Sequence, residues 1–264
     1  MSSQTRDIVF INGAWMASAC WDLFRLPFEH AGFRSHTLEW PHLDGPVREM
    51  RSAPPAEVGG LSINSIVAHH AAFIRSLPEA PVLVGHSFGG LFVELLLDAG
   101  LGCAGVALDP APIGGIVPGP ITFKAALPVI ARASGWKRPY TLTKQQFDSS
   151  FANTAPSSVR DEAYERLVVP TSGLMFYQNA FWIDTFVNPA RRTVPLLITS
   201  ATDDHTVSPY VCRAAYRRQS RSRAPTDMLS FPQMSHFLIA EPGWERVAAP
   251  ILTWLERHVP VVIN

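Results

Sequence analysis

The segment from Pro81 to Gly90, PVLVGHSFGG, constrains the fold more than any other part of the chain. Pro81-Val82-Leu83-Val84 is apolar at every position, which suits a strand buried on both faces at the centre of a parallel sheet. Gly85-His86-Ser87-Phe88-Gly89-Gly90 follows without a gap, and the stretch from about Phe88 to Ala99 reads as a helix closed by Gly100. A strand that turns into a helix at one residue forces that residue into a strained backbone conformation. Its neighbours two places away on either side must be small, because helix and strand pass close together. Gly85 and Gly89 fill those places, Gly90 adds room, and Ser87 stands at the turn beside the free amides and positive dipole end of the helix. A glycine-rich turn with a surface serine is the bland alternative, and it leaves the flanking strand and helix without a reason.

The rest of the chain supplies the sheet that such a strand requires. Residues 8–12 (IVFIN) read as a buried strand closed by Gly13. Residues 15–31 place Trp15, Cys20, Trp21, Phe24 and Leu26 at near-helical spacing before Gly32, and 34–40 read as a second strand ending at Pro41. A Pro- and Gly-rich loop follows to about Gly60, then a helix over 62–77 with Ile63, Ile66, Val67, Ala71, Phe73 and Ile74 as its apolar positions. Further strands are expected at 104–108, 195–200 and 226–231, with helices at 209–220 and 243–258. Such alternation implies a mostly parallel sheet with helices on both faces. Residues 110–192 break the rhythm: they open with PAPIGGIVPGP and show helical fragments but no buried strand. The expected organisation is an α/β core over 1–110 and 193–264, with 111–192 as a helical lid over the carboxyl ends of the strands, where open α/β sheets bind ligands.

Composition excludes several partners. Basic and acidic side chains number 22 each, so the chain lacks the positive field that holds nucleic acid or an anionic membrane surface. The Arg-rich stretch Arg217 to Arg223 reads as a solvated face near a helix end. No apolar run approaches the ~20 residues of a membrane span, and Ile8 to Ile11 is too short for a signal peptide. Cys20, Cys103 and Cys212 are odd in number and scattered, with no CxxC or Cys/His cluster, so neither a disulfide framework nor a zinc site is expected. No HExxH spacing occurs, and the adjacent His69 and His70 do not share a helix face, so no metal is expected. These features describe a soluble, cytoplasmic protein, monomer or homodimer, whose partner is a small molecule.

A serine hydroxyl is a weak nucleophile at neutral pH and needs a base, which in turn needs an orienting carboxylate. Behind a strand-turn-helix serine the expected chain order is Ser, acid, His. Two loops just past strand ends offer these groups: Ala201-Thr202-Asp203-Asp204-His205-Thr206-Val207 and Gln233-Met234-Ser235-His236.

With NGAW (12–15), GHSFGG (85–90), TDDHTV (202–207) and SHFLIAEPGW (235–244) in this order and spacing, the chain resembles the α/β-hydrolase superfamily over nearly its whole length. The likeness is to the branch of small lidded esterases, haloperoxidase-like hydrolases and hydroxynitrile lyases. The resemblance implies the α/β-hydrolase fold, with Ser87 as nucleophile, His236 as general base and acid, and Asp204 as the acid. Asp203 is an adjacent alternative, and Asp109, just past the strand at 104–108, stands at a second acid position used by some members. The oxyanion hole would use the Phe88 amide and one from the NGAW loop, Ala14 or alternatively Trp15. Asn12 stands where the family usually has His before this Gly, and Asn can brace the loop by bonding neighbouring backbone. The chain is expected to lack the family's leading hairpin, and no cofactor is implied.

Aromatic residues crowd the lid: Trp136, Phe147, Phe151, Phe176, Tyr177, Phe181, Trp182 and Phe186. Part of them is expected to form the lid's own core. Trp136, Phe176, Phe181 and Trp182, with Trp15, are expected to line an apolar substrate pocket above Ser87. The function implied is cleavage of a small to medium uncharged, hydrophobic ester or lactone through an acyl-enzyme. Alternatives on the same scaffold are a lyase, a carbon-carbon bond hydrolase or a cofactor-free oxygenase. A lyase would call for a pocket Lys, and only Lys124, Lys137 and Lys144 exist, all in the lid region. A hydrolase-like ligand receptor is the alternative from another class.

Overall fold

The structure is a computed structural model that describes residues 6–259. Six strands, β1 (Arg6–Ile11), β2 (Phe33–Thr37), β3 (Val82–His86), β4 (Ala104–Leu108), β5 (Leu196–Ala201) and β6 (Thr226–Phe231), form one sheet in the order β2-β1-β3-β4-β5-β6. Every pairing is parallel, with Phe10 opposite Val84, Val84 opposite Val106 and Val106 opposite Leu197. Strands β3, β4 and β5 are buried at every position, which is why they read as unbroken apolar runs: helices cover both faces. Ten helices are described: α1 (Leu26–His30), α2 (Val47–Ser52), α3 (Ile63–Ser76), α4 (Phe88–Asp98), α5 (Pro120–Ile130), α6 (Lys144–Gln146), α7 (Ser157–Leu167), α8 (Gly173–Ala180), α9 (Pro209–Gln219) and α10 (Glu245–His258).

Two segments differ from expectation. Residues 15–31 form a 3-10 turn at Ser18–Trp21 and then the short α1, because Pro27 lacks an amide donor and is accepted only at the start of a helix. The loop 41–60 carries α2 and a 3-10 turn at Ala56–Gly60, with Pro46 at the first cap and Pro55 at the second. The expectation about a leading hairpin concerns positions outside the described residues.

No strand of the sheet lies between β4 and β5. Helices α5 to α8 fill that segment and are tied back to the loops of the core. The Val169 amide donates to Trp15 O at 2.9 Å and Ala17 N to Leu167 O at 2.9 Å. The Ser172 hydroxyl donates to Leu61 O at 2.6 Å, and Gln178 Oε1 accepts the Ile63 amide at 2.8 Å. These bonds set α7, α8 and the turn between them against the loop after β1 and the start of α3.

One buried charge site inside the core carries a pH signature. Glu94 on α4 is fully buried, and its Oε2 accepts the Gln219 amide at 2.7 Å while Oε1 has no partner. Burial pushes its carboxyl up to about 7, against the pull of Gln219 and Arg192. The folded state therefore holds this proton more tightly than the unfolded chain. Stability falls as pH rises from about 4.5 to about 7 and stays lower above, by ~3 kcal/mol in all. Urea unfolding at pH 5 and pH 8 should show that Glu94→Gln removes this fall. An equal pH dependence in the wild type and the variant would refute it.

Candidate active site

Ser87 follows the last residue of β3 with φ 58 and ψ −121, a state L residues rarely adopt. The surroundings over-determine it. Its amide donates to Leu108 O at 2.8 Å, and its carbonyl accepts the amides of Gly90 at 2.9 Å and Ala111 at 3.0 Å. The two flanking glycines are required by contact distance: a Cβ on Gly89 would stand 2.0 Å from Ile11 O, and one on Gly85 2.1 Å from Gly89 O. Trp15 (φ 67) and Asp109 (φ 44) are also left-handed, so three strained residues cluster at the carboxyl ends of β1, β3 and β4.

His236, after β6, is fully buried, and its Nδ1 lies 2.5 Å from Asp204 Oδ2. Its Nε2 has no hydrogen-bond partner, so that nitrogen is free to take a proton. Asp204, after β5, is held in turn: its Oδ1 accepts the amides of Thr206 at 2.6 Å and Val207 at 2.7 Å. Asp203 is exposed and takes the Thr202 hydroxyl at 2.8 Å instead of facing the histidine. Asp109 is buried, and its carboxyl oxygens accept the Ala201 amide at 3.0 Å and the Thr199 hydroxyl at 3.1 Å. Of the three acid candidates, only Asp204 bonds the imidazole. Among the described residues, Asp109, Asp204 and His236 form the one group of His, Cys, Asp and Glu side chains close enough to share an ion. There the Nδ1 of His236 is already engaged by Asp204.

Two supporting residues, His86 and Glu241, escape a reading of the sequence. His86 Nε2 lies 2.7 Å from the backbone carbonyl of His236, and the two rings are 4.5 Å apart. Burial pushes the His86 imidazole well below its usual range, so it is neutral and its Nε2–H donates to that carbonyl. Glu241 braces the same loop: it accepts the Ser235 amide at 2.7 Å and the Ser235 hydroxyl at 2.9 Å. No spacing rule announces either residue; both act on backbone brought close only by the fold.

The NGAW loop lies against the serine: a Cβ on Gly13 would be 2.6 Å from Ser87 Cβ. Asn12 braces this loop by donating from Nδ2 to Met16 O at 2.5 Å, while its carbonyl accepts the Trp40 indole at 3.2 Å. The amides of Ala14 and Trp15 make no backbone hydrogen bond among the described residues. Phe88 is the first residue of α4, so its amide is one of the helix's orphan donors.

An apolar pocket opens on Ser87. Trp15, Phe88 and Phe176 wall it, with Phe176 4.9 Å from Trp15 and 5.0 Å from Phe88. Phe123 and Ala126 of α5 close the far side, and no charged side chain lines it. Polar groups around the serine are engaged elsewhere: Thr122 accepts the Ser208 amide at 3.0 Å, Asn179 donates to Pro112 O at 2.8 Å and Thr206 donates to Ser150 O at 2.8 Å. Three aromatics expected there are placed elsewhere. Phe181 is 71% exposed just past the end of α8, and Trp136 and Trp182 lie on the outer face of the lid, Trp136 against Tyr177 and Trp182 bonded to Ile116 O. Helix α8 turns Phe176 inward and ends at Ala180, so the residues after it are carried outward. Phe151 packs edge-on to His236 at 4.8 Å, from a π-helical turn at Phe147–Phe151.

Comparison with known proteins agrees with this fold. Residues 8–249 match the family model described as "Alpha/beta hydrolase family". No protein of curated function matches the sequence. Among solved structures, the chain is similar to a monoacylglycerol lipase of Paleococcus ferrophilus, with TM-score 0.71, 21% identity and 96% of each chain covered. It is also similar to a pyrethroid hydrolase of Sphingobium faniae, with TM-score 0.69, 20% identity and 96% and 98% covered. A methylesterase of Arabidopsis aligns with TM-score 0.70, 16% identity and 96% and 100% covered. At these identities the likeness is one of fold. The family match runs from within β1 to within α10 and takes in every strand end that carries a site residue: the chain belongs to the alpha/beta hydrolase family.

Proposed function

We propose that the protein is a serine hydrolase that cleaves small to medium, uncharged, hydrophobic esters, lactones included, through an acyl-enzyme. The observation that carries this reading is one strained serine at the floor of an uncharged pocket, with a carboxylate-bonded histidine whose other nitrogen is unengaged. Ser87 attacks the substrate carbonyl while His236 Nε2 takes its proton. The amides of Ala14 and Phe88 receive the oxyanion. His236 then gives the proton to the leaving alcohol, and next activates a water that releases the acid. Asp204 holds the imidazole with its proton on Nδ1 and stabilises the imidazolium as it forms.

The pocket lining argues for the substrate class. Small residues (Ala111, Pro112, Pro118, Ala125, Ala126 and Ala180) leave room for a compact apolar group and offer no cation to clamp a carboxylate. A lyase reading would call for a pocket lysine. Lys124 and Lys137 are exposed, and Lys144 is paired with Asp148 and Asp161.

A fluorophosphonate probe should label Ser87, found by peptide mapping, and a panel of p-nitrophenyl esters should be turned over. Esters with a carboxylate on the acyl chain should be slower by about tenfold or more, since the pocket would have to bury an unpaired charge. Labelling without turnover of any ester or lactone would favour a ligand receptor. No labelling at all would sink the serine hydrolase reading.

A further inference from the structure

The site holds two buried carboxyls where the proposed chemistry uses one. Side-chain oxygens of Asp109 and Asp204 and a ring nitrogen of His236 all lie within 4.8 Å of one another, and all three residues are at most 1% exposed. Two carboxylates at that distance, away from water, repel too strongly for both to be ionised. The donors around them decide which one keeps the charge. Asp204 accepts two backbone amides, at 2.6 and 2.7 Å, as well as the imidazole at 2.5 Å. Asp109 receives one hydroxyl, on Oδ1, and one amide shared between its two oxygens. Their oxygens lie close enough that a proton held on one carboxyl relieves the repulsion. Among the described residues no lysine or arginine acts on Asp109 to change this balance. Cys212 on α9, the nearest thiol, is kept neutral by burial, and so is the His86 imidazole.

We propose that Asp109 is a neutral carboxylic acid that donates a hydrogen bond to Asp204, a positioning residue that leaves a single negative charge beside His236. This rests on reading Ser87, His236 and Asp204 as the catalytic set. Burial first, and then the Asp204 charge, push the Asp109 carboxyl well above the usual carboxylate range, in line with the geometry. The arrangement has a consequence for catalysis. Two carboxylates beside one buried imidazole would hold it as imidazolium, unable to accept the Ser87 proton. One carboxylate, itself steadied by a neutral donor, orients the ring and leaves Nε2 basic. The strained backbone at Asp109 (φ 44) and its amide bond to Thr199 Oγ1 at 3.3 Å hold the residue in place at the end of β4.

Asp109→Asn tests this, because the amide has no charge and still offers an N–H to Asp204. The acid limb of kcat/KM against pH, measured with p-nitrophenyl acetate, should shift by less than about 0.3 unit, and kcat should stay within about threefold. Asp109→Leu, which removes the donor, should lower kcat about tenfold at unchanged KM. If Asp109 instead carried a charge, Asn would lower the acid limb by more than about one unit, and the proposal would be overturned. The His236 imidazole titration followed by NMR reads the same shift without turnover, so a failed hydrolase assignment stays distinguishable. Carbon-13 carboxyl NMR of aspartate-labelled wild-type protein needs neither activity nor a variant. One buried aspartate carboxyl should show its protonated-form shift at pH 7; every aspartate ionised at pH 7 would overturn the proposal.

Discussion

Ser87→Ala is expected to leave the protein folded and to lower kcat on any ester it hydrolyses by about a million-fold. The hydroxyl is the only group that can form the acyl-enzyme, and no neighbouring side chain can replace it. Asp204 and His236 are bonded to each other, and the pocket around them is apolar. The elbow itself does not depend on the hydroxyl: it is held by backbone bonds of Ser87 to Leu108, Gly90 and Ala111. Alanine suffers no more than serine from φ 58, so the melting temperature should move little. KM should also change little, because the pocket walls and the oxyanion amides remain. The turnover left over, about a thousand-fold above uncatalysed hydrolysis, is what those amides and binding alone supply. Stopped assays at high enzyme concentration, with circular dichroism as the folding control, decide the matter. Retention of more than a tenth of the wild-type kcat would show that Ser87 is not the nucleophile.

Much of this site is legible in the amino-acid sequence, for a physical reason. Strained turns and close backbone approaches admit few residue types, so Gly85, Ser87 and Gly89 announce themselves, and all-apolar strands announce a sheet covered on both faces. Strand ends then place Asp204 and His236 at one edge of the sheet. What resists such reading is everything decided by tertiary direction. Trp136, Phe181 and Trp182 have the composition of pocket walls, yet the ends of short lid helices carry them outward. Phe123 and Phe151 are no different as residues, yet the first reaches the pocket and the second packs on His236. His86 and Glu241 serve through bonds to backbone 150 and 6 residues away along the chain, which no local pattern encodes. The choice among Asp109, Asp203 and Asp204 depends on which carboxyl reaches the imidazole. One residue of offset turns Asp203 to solvent and Asp204 inward.

That choice makes Asp204→Asn the second large effect, a loss of about ten-thousand-fold in kcat with the fold retained. The reason lies in the other side of the carboxylate. Oδ1 accepts the amides of Thr206 and Val207, and only an oxygen can take that place, so the new amide must keep its oxygen there. Its NH2 then falls where Oδ2 now faces His236 Nδ1. Nδ1 can no longer donate and becomes the acceptor, so the ring carries its proton on Nε2. That nitrogen, unengaged in the wild type, is the one that must accept the Ser87 proton, and in the variant it is already occupied. The loss should therefore appear in kcat, with little change in KM. Asp203→Asn, exposed and unconnected to the ring, should stay within about twofold, and Asp109→Asn should fall with it and not with Asp204→Asn. If Asp109→Asn were the silent enzyme and Asp204→Asn the active one, the acid would belong to the end of β4, and Asp204 would be the neutral partner.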